Sequence, residues 1–363
     1  VPKTVQYLLI GSTEEYSGKS ATVLGIAHQL KQQGLDIAYG KPLGTCWSDE
    51  VFRDLDADAQ FIAETLNLPS DRLLPTILPL DEPSIQKRIS GADQADYGQV
   101  LSHSYGQVQG PDLVLLEGPA NLDEGTLFGI SAVRIAELLD AKVLLVARFH
   151  SLLIIGSLLS AQNRVGDRLL GVVINDIPED RLEEVQTSVQ PFLEQQGVPV
   201  LGLMPRSPVL RSVSVAELVK LLQAEVLCRP DRLDLMVESL SIGAMNVSSA
   251  LKYFRKGRNM AVVTGGDRTD IQLAALETST QCLILTGQMP PSATILSRAE
   301  DLEIPILSVD LDTLATVEIV DRAFGQVRVH EPVKVQCIYQ LMTEHFQTNR
   351  LLASLGLEPV ATA

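Results

Sequence analysis

Apolar residues in this chain fall into short unbroken runs separated by stretches of helical period, and the alternation repeats along most of its length. Runs at Tyr7 to Ile10, Leu35 to Gly40, Asp112 to Glu117, Lys142 to Ala147, Leu170 to Asn175 and Val198 to Met204 predict strands, the continuous ones buried on both faces. Ala21 to Leu30, Gly129 to Leu139, Ser151 to Asn163 and Arg181 to Gln196 carry the helix pattern between them. Such alternation predicts a parallel, doubly wound α/β sheet with right-handed crossovers. Asp49 to Leu66 is acidic and helix-patterned, while residues 67–90, with Pro69, Pro75, Pro79 and Pro83, read as an irregular connection.

After a helix pattern at Ser214 to Gln223 and a short strand at Ala224 to Cys228, a second α/β series begins. Its strands are Met260 to Thr264, Gln281 to Thr286 and Pro305 to Val309; its helices start at Ile271 and cover Ser292 to Asp301 and Thr313 to Phe324. A terminal helix is predicted over Val333 to Phe346, with Val333, Cys337, Leu341 and His345 spaced by four. The expected organisation is a first domain at 1–212, a smaller α/β domain at 213–346 and a tail at 347–363.

Composition narrows the function classes. The chain of 363 residues is 45% hydrophobic and 20% charged, which describes a globular protein with room for two cores. A net charge of -16 opposes general binding to nucleic acid or anionic lipid, both of which need clustered Lys and Arg. Cys46, Cys228, Cys282 and Cys337 form no CxxC pair, and the five histidines share no metal-ligand spacing, so no zinc site or disulfide framework is indicated. Neither a signal-peptide pattern nor a membrane-length apolar run is present, and a cytoplasmic location without membrane insertion is expected. Ser102 and Ser104 flank His103 without a Gly-x-Ser-x-Gly elbow, which removes serine hydrolase chemistry.

Positive chemistry concentrates in Gly11-Ser-Thr-Glu-Glu-Tyr-Ser-Gly-Lys-Ser20, between the first strand and the first helix. A glycine turn that ends in Gly-Lys-Ser and opens a helix is a phosphate cradle. Backbone N–H groups from Thr13 through Ser17 and Gly18 would surround the anion, Lys19 would reach the outer phosphates, and the Ser20 hydroxyl would ligate Mg2+. Six residues separate Gly11 from Gly18, two more than the strict motif allows, and Thr13 stands where its first glycine would be. The alternative is an ordinary strand-to-helix turn at Ser17-Gly18. Glu117, ending a strand after four apolar residues, occupies the second magnesium position of a P-loop protein. Lys41, also at a strand end, is either a ligand group or a solvated turn lysine. Asp54, Asp56 and Asp58 would be spread around a helix by their spacing, so at most one of them should reach a nucleotide-bound metal. Trp47 is placed near the mouth of this site, for packing more than for base stacking. In the second series, Gly265-Gly266-Asp267-Arg268 is either an anion nest with Arg268 as its arm or a tight turn in which Asp267 pairs with Arg268 or caps the helix.

The succession Gly18-Lys19-Ser20, Lys41-Pro42, Asp58-Ala59, Glu117-Gly118, Val173-Ile174-Asn175 and Gly202-Leu-Met-Pro205 resembles the dethiobiotin synthetase family of P-loop proteins. That resemblance implies that Lys19 binds phosphate, that Ser20, Asp58 and Glu117 surround magnesium, and that Asn175 and the Pro205 region hold adenine. Pro119-Ala-Asn121 stands where that family has a glycine-rich substrate turn. Residues from about 215 to 346 resemble the DRTGG domain: Asp267-Arg268-Thr269 match, and Asp270 and Ile271 replace the glycines. The two domains in this order resemble the amino-terminal, regulatory half of long bacterial phosphate acetyltransferases. The resemblance implies an ATP- and Mg2+-binding regulatory protein that signals nucleotide state to a partner or subunit. At most a weak ATPase activity and no acetyltransferase activity are expected, and the partners implied are a homo-oligomer and a protein of central carbon metabolism. Two rivals remain at this level: an ATP-dependent carboxylate ligase of the dethiobiotin synthetase type, and a structural subunit with a vestigial nucleotide site.

Overall fold

The computed structural model describes residues 5–44, 56–326 and 329–358. Cys46, Trp47 and Asp54 lie outside the described residues. The chain forms two compact units: residues 1–206 together with 329–363, and residues 207–328.

The first unit is built on a seven-stranded sheet. Its strands are β1 (Gln6–Ser12), β2 (Ile37–Gly40), β3 (Leu73–Leu74), β4 (Leu113–Glu117), β5 (Lys142–Arg148), β6 (Leu169–Ile177) and β7 (Val200–Pro205), in the order β3-β2-β4-β1-β5-β6-β7. Every neighbouring pair is parallel. Leu8, Leu9 and Ile10 of β1 and Leu113 to Leu116 of β4 are fully buried, because helices cover both faces of the sheet. From β1 the chain departs to one side for β2 and β4 and later returns to the other side for β5. The crevice beyond the carboxyl end of β1 is therefore the topological switch point, where such sheets bind ligands.

Helix α1 (Lys19–Gln32) follows β1 directly, and α2 (Ala57–Thr65) begins with Asp56 as its N-cap, accepting from the Asp58 N–H. Residues 67–90 are more ordered than their prolines suggest: β3, a two-residue strand at Leu78–Pro79 and a helix at Glu82–Ile89 fall within them. Pro83 sits in the first turn of that helix, where its missing N–H breaks no bond.

In the second unit β8 (Glu225–Cys228), β9 (Ser239–Ile242), β10 (Met260–Gly265), β11 (Thr280–Thr286) and β12 (Ile306–Val309) form a sheet ordered β8-β12-β11-β10-β9, parallel except for β8. Along β10 and β11 alternate residues enter opposite cores. Met260, Val262, Leu283 and Leu285 pack with Phe254, Ile271 and Ile295, whereas Ala261, Val263, Cys282 and Ile284 pack with Leu218, Leu222 and Val320. Two faces, each with its own helices, account for the unbroken apolar runs of the sequence. Among the described residues no helix is long and apolar enough to cross a membrane.

The carboxyl-terminal limits differ from those expected. Helices α3 (Pro332–His345) and α4 (Thr348–Leu355) belong to the first unit, not to the second domain and a tail. Lys334, Val335, Ile338 and Met342 are the buried positions of α3, and Val333, first of the residues spaced by four, is about half exposed. Periodicity locates such a helix but does not identify the surface it covers. Here the surface is a groove on α1 opened by Gly25, where a Cβ would stand 2.3 Å from Met342 Cγ. His28 of α1 stacks on Tyr339 at 3.6 Å, Phe346 forms a bridge to Gly202 of β7, and the guanidinium of Arg350 grips both oxygens of Glu194 at 2.7 and 2.8 Å.

Candidate functional site

The loop between β1 and α1 is shaped by Gly18, whose φ of 99° lies in the left-handed region. Lys19 then opens the helix, nine-tenths buried. Its ammonium donates to two neutral oxygens, Ser12 Oγ at 2.9 Å and the Ala120 carbonyl at 3.1 Å. Burial lowers the Lys19 pKa, and the more distant carboxylates of Glu117 and Glu124 only partly oppose the shift. Ser17 is fully buried and its hydroxyl has no partner among the described residues; Thr13 is half-buried on the same loop. From β6, Asn175 Nδ2 donates to the Ser17 carbonyl at 2.8 Å. On the outer side Glu14 accepts from Ser12 through its carbonyl and meets His150 through its carboxylate, both at 2.8 Å.

Ser20 and Glu117 come together as the sequence suggests, with the hydroxyl donating to Glu117 Oε1 at 2.7 Å. Glu117 Oε2 accepts from the fully buried Tyr39 phenol at 2.9 Å. Burial, and then the Glu117 charge, push the Tyr39 pKa well above its usual value, so the phenol remains a donor.

Asp58 is placed differently from the expected magnesium shell. Lys41 Nζ lies 2.8 Å from Asp56 Oδ1 and 2.9 Å from Asp58 Oδ2, and Asp58 also faces His330 at 3.5 Å. Because Asp56 caps α2 rather than lying within it, its carboxylate and that of Asp58 converge on one ammonium instead of spreading around a helix. Lys41 is thus a buried ion-pair partner and not a solvated turn lysine. Burial opposes its charge, but Glu117, Asp58 and Asp56 outweigh burial and raise its pKa.

Pro119-Ala-Asn121 has a definite part in this arrangement. Asn121 Oδ1 accepts from the N–H groups of Asp123 and Glu124, Glu124 in turn accepts from the Ala120 N–H, and the Ala120 carbonyl is left aimed at Lys19. Pro205 ends β7 opposite Ile177, one strand beyond Asn175. At the Gly265-Gly266-Asp267-Arg268 turn of the second unit, the helix that follows has no side-chain cap, and Arg268 pairs with Asp270 at 3.3 Å, not with Asp267. The Gly266 and Arg268 N–H groups donate to the carbonyls of Thr286 and Gly265, and the Arg268 side chain also donates to the Met245 carbonyl.

Sequence reasoning missed Ser12, Tyr39, Ala120 and His330. Tyr39 carried a usable signal, since it precedes Lys41 by two and so shares its face of the chain. Ser12 lies in the loop stretch itself, whereas Ala120 and His330 meet the site only through folding.

The residues fit a nucleotide phosphate. A buried ammonium held by neutral oxygens, an orphaned buried hydroxyl and a left-handed glycine line one short loop. Ser20 and Glu117 offer hydroxyl and carboxylate oxygens, the donor set of Mg2+. Among the described residues no group of three or more His, Cys, Asp or Glu side chains could hold a metal ion alone, so the remaining ligands of such a cation would be phosphate oxygens and water.

Comparison with known proteins agrees with this architecture. The chain is 28% identical over 316 residues to a phosphate acetyltransferase of Synechocystis, covering 81% of this chain and 44% of that protein. A phosphate acetyltransferase of Nitratidesulfovibrio vulgaris is 26% identical over 364 residues, covering 95% and 51%. The chain spans about half the length of these curated relatives. Among solved structures, the septum site-determining protein MinD complexed with Mg-ADP from Pyrococcus horikoshii aligns with a TM-score of 0.36 at 18% identity, covering 57% of this chain and 84% of that one. Residues 6–214, more than half of the chain, match the AAA domain and residues 217–323 match the DRTGG domain. The chain belongs to the AAA-domain family of P-loop proteins, with a DRTGG domain appended, and is homologous to the amino-terminal region of phosphate acetyltransferases.

Proposed function

We propose that the first unit binds ATP with Mg2+ at the loop from Ser12 to Ser20 and that the protein acts as a nucleotide-responsive regulator. The observation that carries this reading is Lys19: a buried cation whose hydrogen-bond partners are neutral gains a counter-charge when a phosphate arrives. Ser17 and Gly18 border the same anion, with Thr13 at the loop entrance. Ser20 and Glu117 hold Mg2+, which neutralises phosphate charge. The adenine lies beyond Asn175, toward Pro205. Asp58 reaches the metal only by releasing Lys41, and that exchange is a natural point for nucleotide state to alter the surface near His330. Occupancy shifts such an equilibrium only to the extent that nucleotide prefers one state. The recipient of the signal is a second copy of the chain or a protein partner in central carbon metabolism, and the location is the cytoplasm.

A ligase in which Lys41 orients a carboxylate substrate is disfavoured by the two carboxylates already on that lysine. A vestigial site would leave the Lys19 charge buried without function. Calorimetric titration with ATP, with and without Mg2+, tests the proposal beside Lys19→Ala. Affinity in the micromolar range, about 8 kcal/mol, that disappears in the variant is expected. Equal binding by the variant, or no binding by either protein, sinks the nucleotide reading.

A further inference from the structure

We propose that Asn175 is a positioning residue of the phosphate loop, whose side-chain amide fixes the Ser17–Gly18 peptide so that the Gly18 N–H is presented to bound phosphate. The assignment deepens the nucleotide reading above and rests on it. Asn175 Nδ2 donates to the Ser17 carbonyl at 2.8 Å. A trans peptide is planar and carries its C=O and N–H on opposite edges. Turning the Ser17 carbonyl toward Asn175 therefore turns the Gly18 N–H away from it.

Loop and side chain are fitted to each other. A Cβ on Gly18 would stand 2.2 Å from Asn175 Nδ2, so glycine is required here by the contact as well as by its left-handed backbone. Asn175 is itself held firmly. It pairs with Arg148 in the β5–β6 ladder, and its carbonyl accepts from the Phe149 N–H at 2.8 Å. The orphaned Ser17 hydroxyl shows that this stretch of loop is not held by its own side chain. An asparagine that reads adenine presents Nδ2 and Oδ1 together to the base edge. The bond from Nδ2 to the Ser17 carbonyl ties the plane of this amide to the loop.

The test is titration of the full chain with ATP and, separately, with inorganic tripolyphosphate, both with Mg2+, using the native protein, Asn175→Ala and Asn175→Asp. Thermal unfolding of each variant establishes that it is folded at the temperature of titration. Asn175→Ala is expected to weaken both probes by the same factor, about tenfold. Asn175→Asp, whose carboxylate repels the Ser17 carbonyl, should weaken both further. Loss of ATP affinity with tripolyphosphate affinity unchanged would mean that Asn175 reads the base, and overturns the proposal. So does a variant that melts earlier yet binds both probes as the native protein does, which marks a purely structural contact. Native protein that binds neither probe overturns the nucleotide reading and this assignment with it, a result distinct from the other two.

Discussion

Two lysines, Lys19 and Lys41, are buried beside the same carboxylate, Glu117, and their surroundings act on them in opposite directions. Lys41 is held by Asp56, which is fully buried, and by Asp58, so its removal takes a cation away from negative charge in the interior. Lys41→Met should lower unfolding stability by about 3–5 kcal/mol, read as a shift in urea midpoint. Lys19→Met removes a cation from neutral oxygens and should leave the midpoint unchanged or raised. If the two variants were equally destabilised, the contrast drawn from their partners would be wrong. The position of Lys19 at the start of α1 was legible because Gly18-Lys19-Ser20 is a local pattern with a local geometry. The partners of Lys41 were not. Their convergence depends on where α2 starts, and the helical pattern from Asp49 to Leu66 does not reveal that Asp56 is its cap.

At the level of elements, the seam between α1 and α3 shows how a helix next to the phosphate loop is fixed from behind. Gly25→Ala improves intrinsic helix propensity by about 1 kcal/mol but drives a methyl into Met342. The net expectation is a loss of about 1–2 kcal/mol from overpacking. Met342→Ala opens a cavity at about 2–5 kcal/mol, and the double variant should be more stable than the sum of the two losses predicts. Strict additivity in a double-mutant cycle by chemical denaturation would show that the two residues do not share the groove. Strands of the first unit were readable as elements because continuous apolar runs signal burial on both faces, as Leu113 to Leu116 illustrate. The buried face of α3 was not legible because Val333, Cys337, Leu341 and His345 repeat at helical spacing as well as Val335, Ile338 and Met342 do. Only the shape of α1 decides between them.

For the molecule as a whole, nucleotide binding should stabilise a set of residues that is discontinuous in sequence. At free ATP one hundred times Kd the gain is about 2.7 kcal/mol, and it acts on the unit that contains both the phosphate loop and residues 329–358. Amide hydrogen exchange with Mg-ATP is therefore expected to slow in α1 and in α3 together. Slowing confined to the loop and α1 would mean that α3 opens independently of the site. The order of the two α/β series was visible in the sequence, since each has its own run of strands. The return of the chain after residue 328 was not, because a helix that completes a distant core has the same local pattern as one that closes a nearby one.

That return has a consequence for how the protein is made. Ser207 to Arg328 interrupts the first unit in the chain, so α3 emerges from the ribosome only after the entire second unit. At about 5–20 residues per second, α1 waits on the order of 15–60 seconds for α3 with the Gly25 groove uncovered, and Gly202 is meanwhile without Phe346. Synthesis thus produces an incomplete first unit, and chaperones or premature self-association would act on it during that interval.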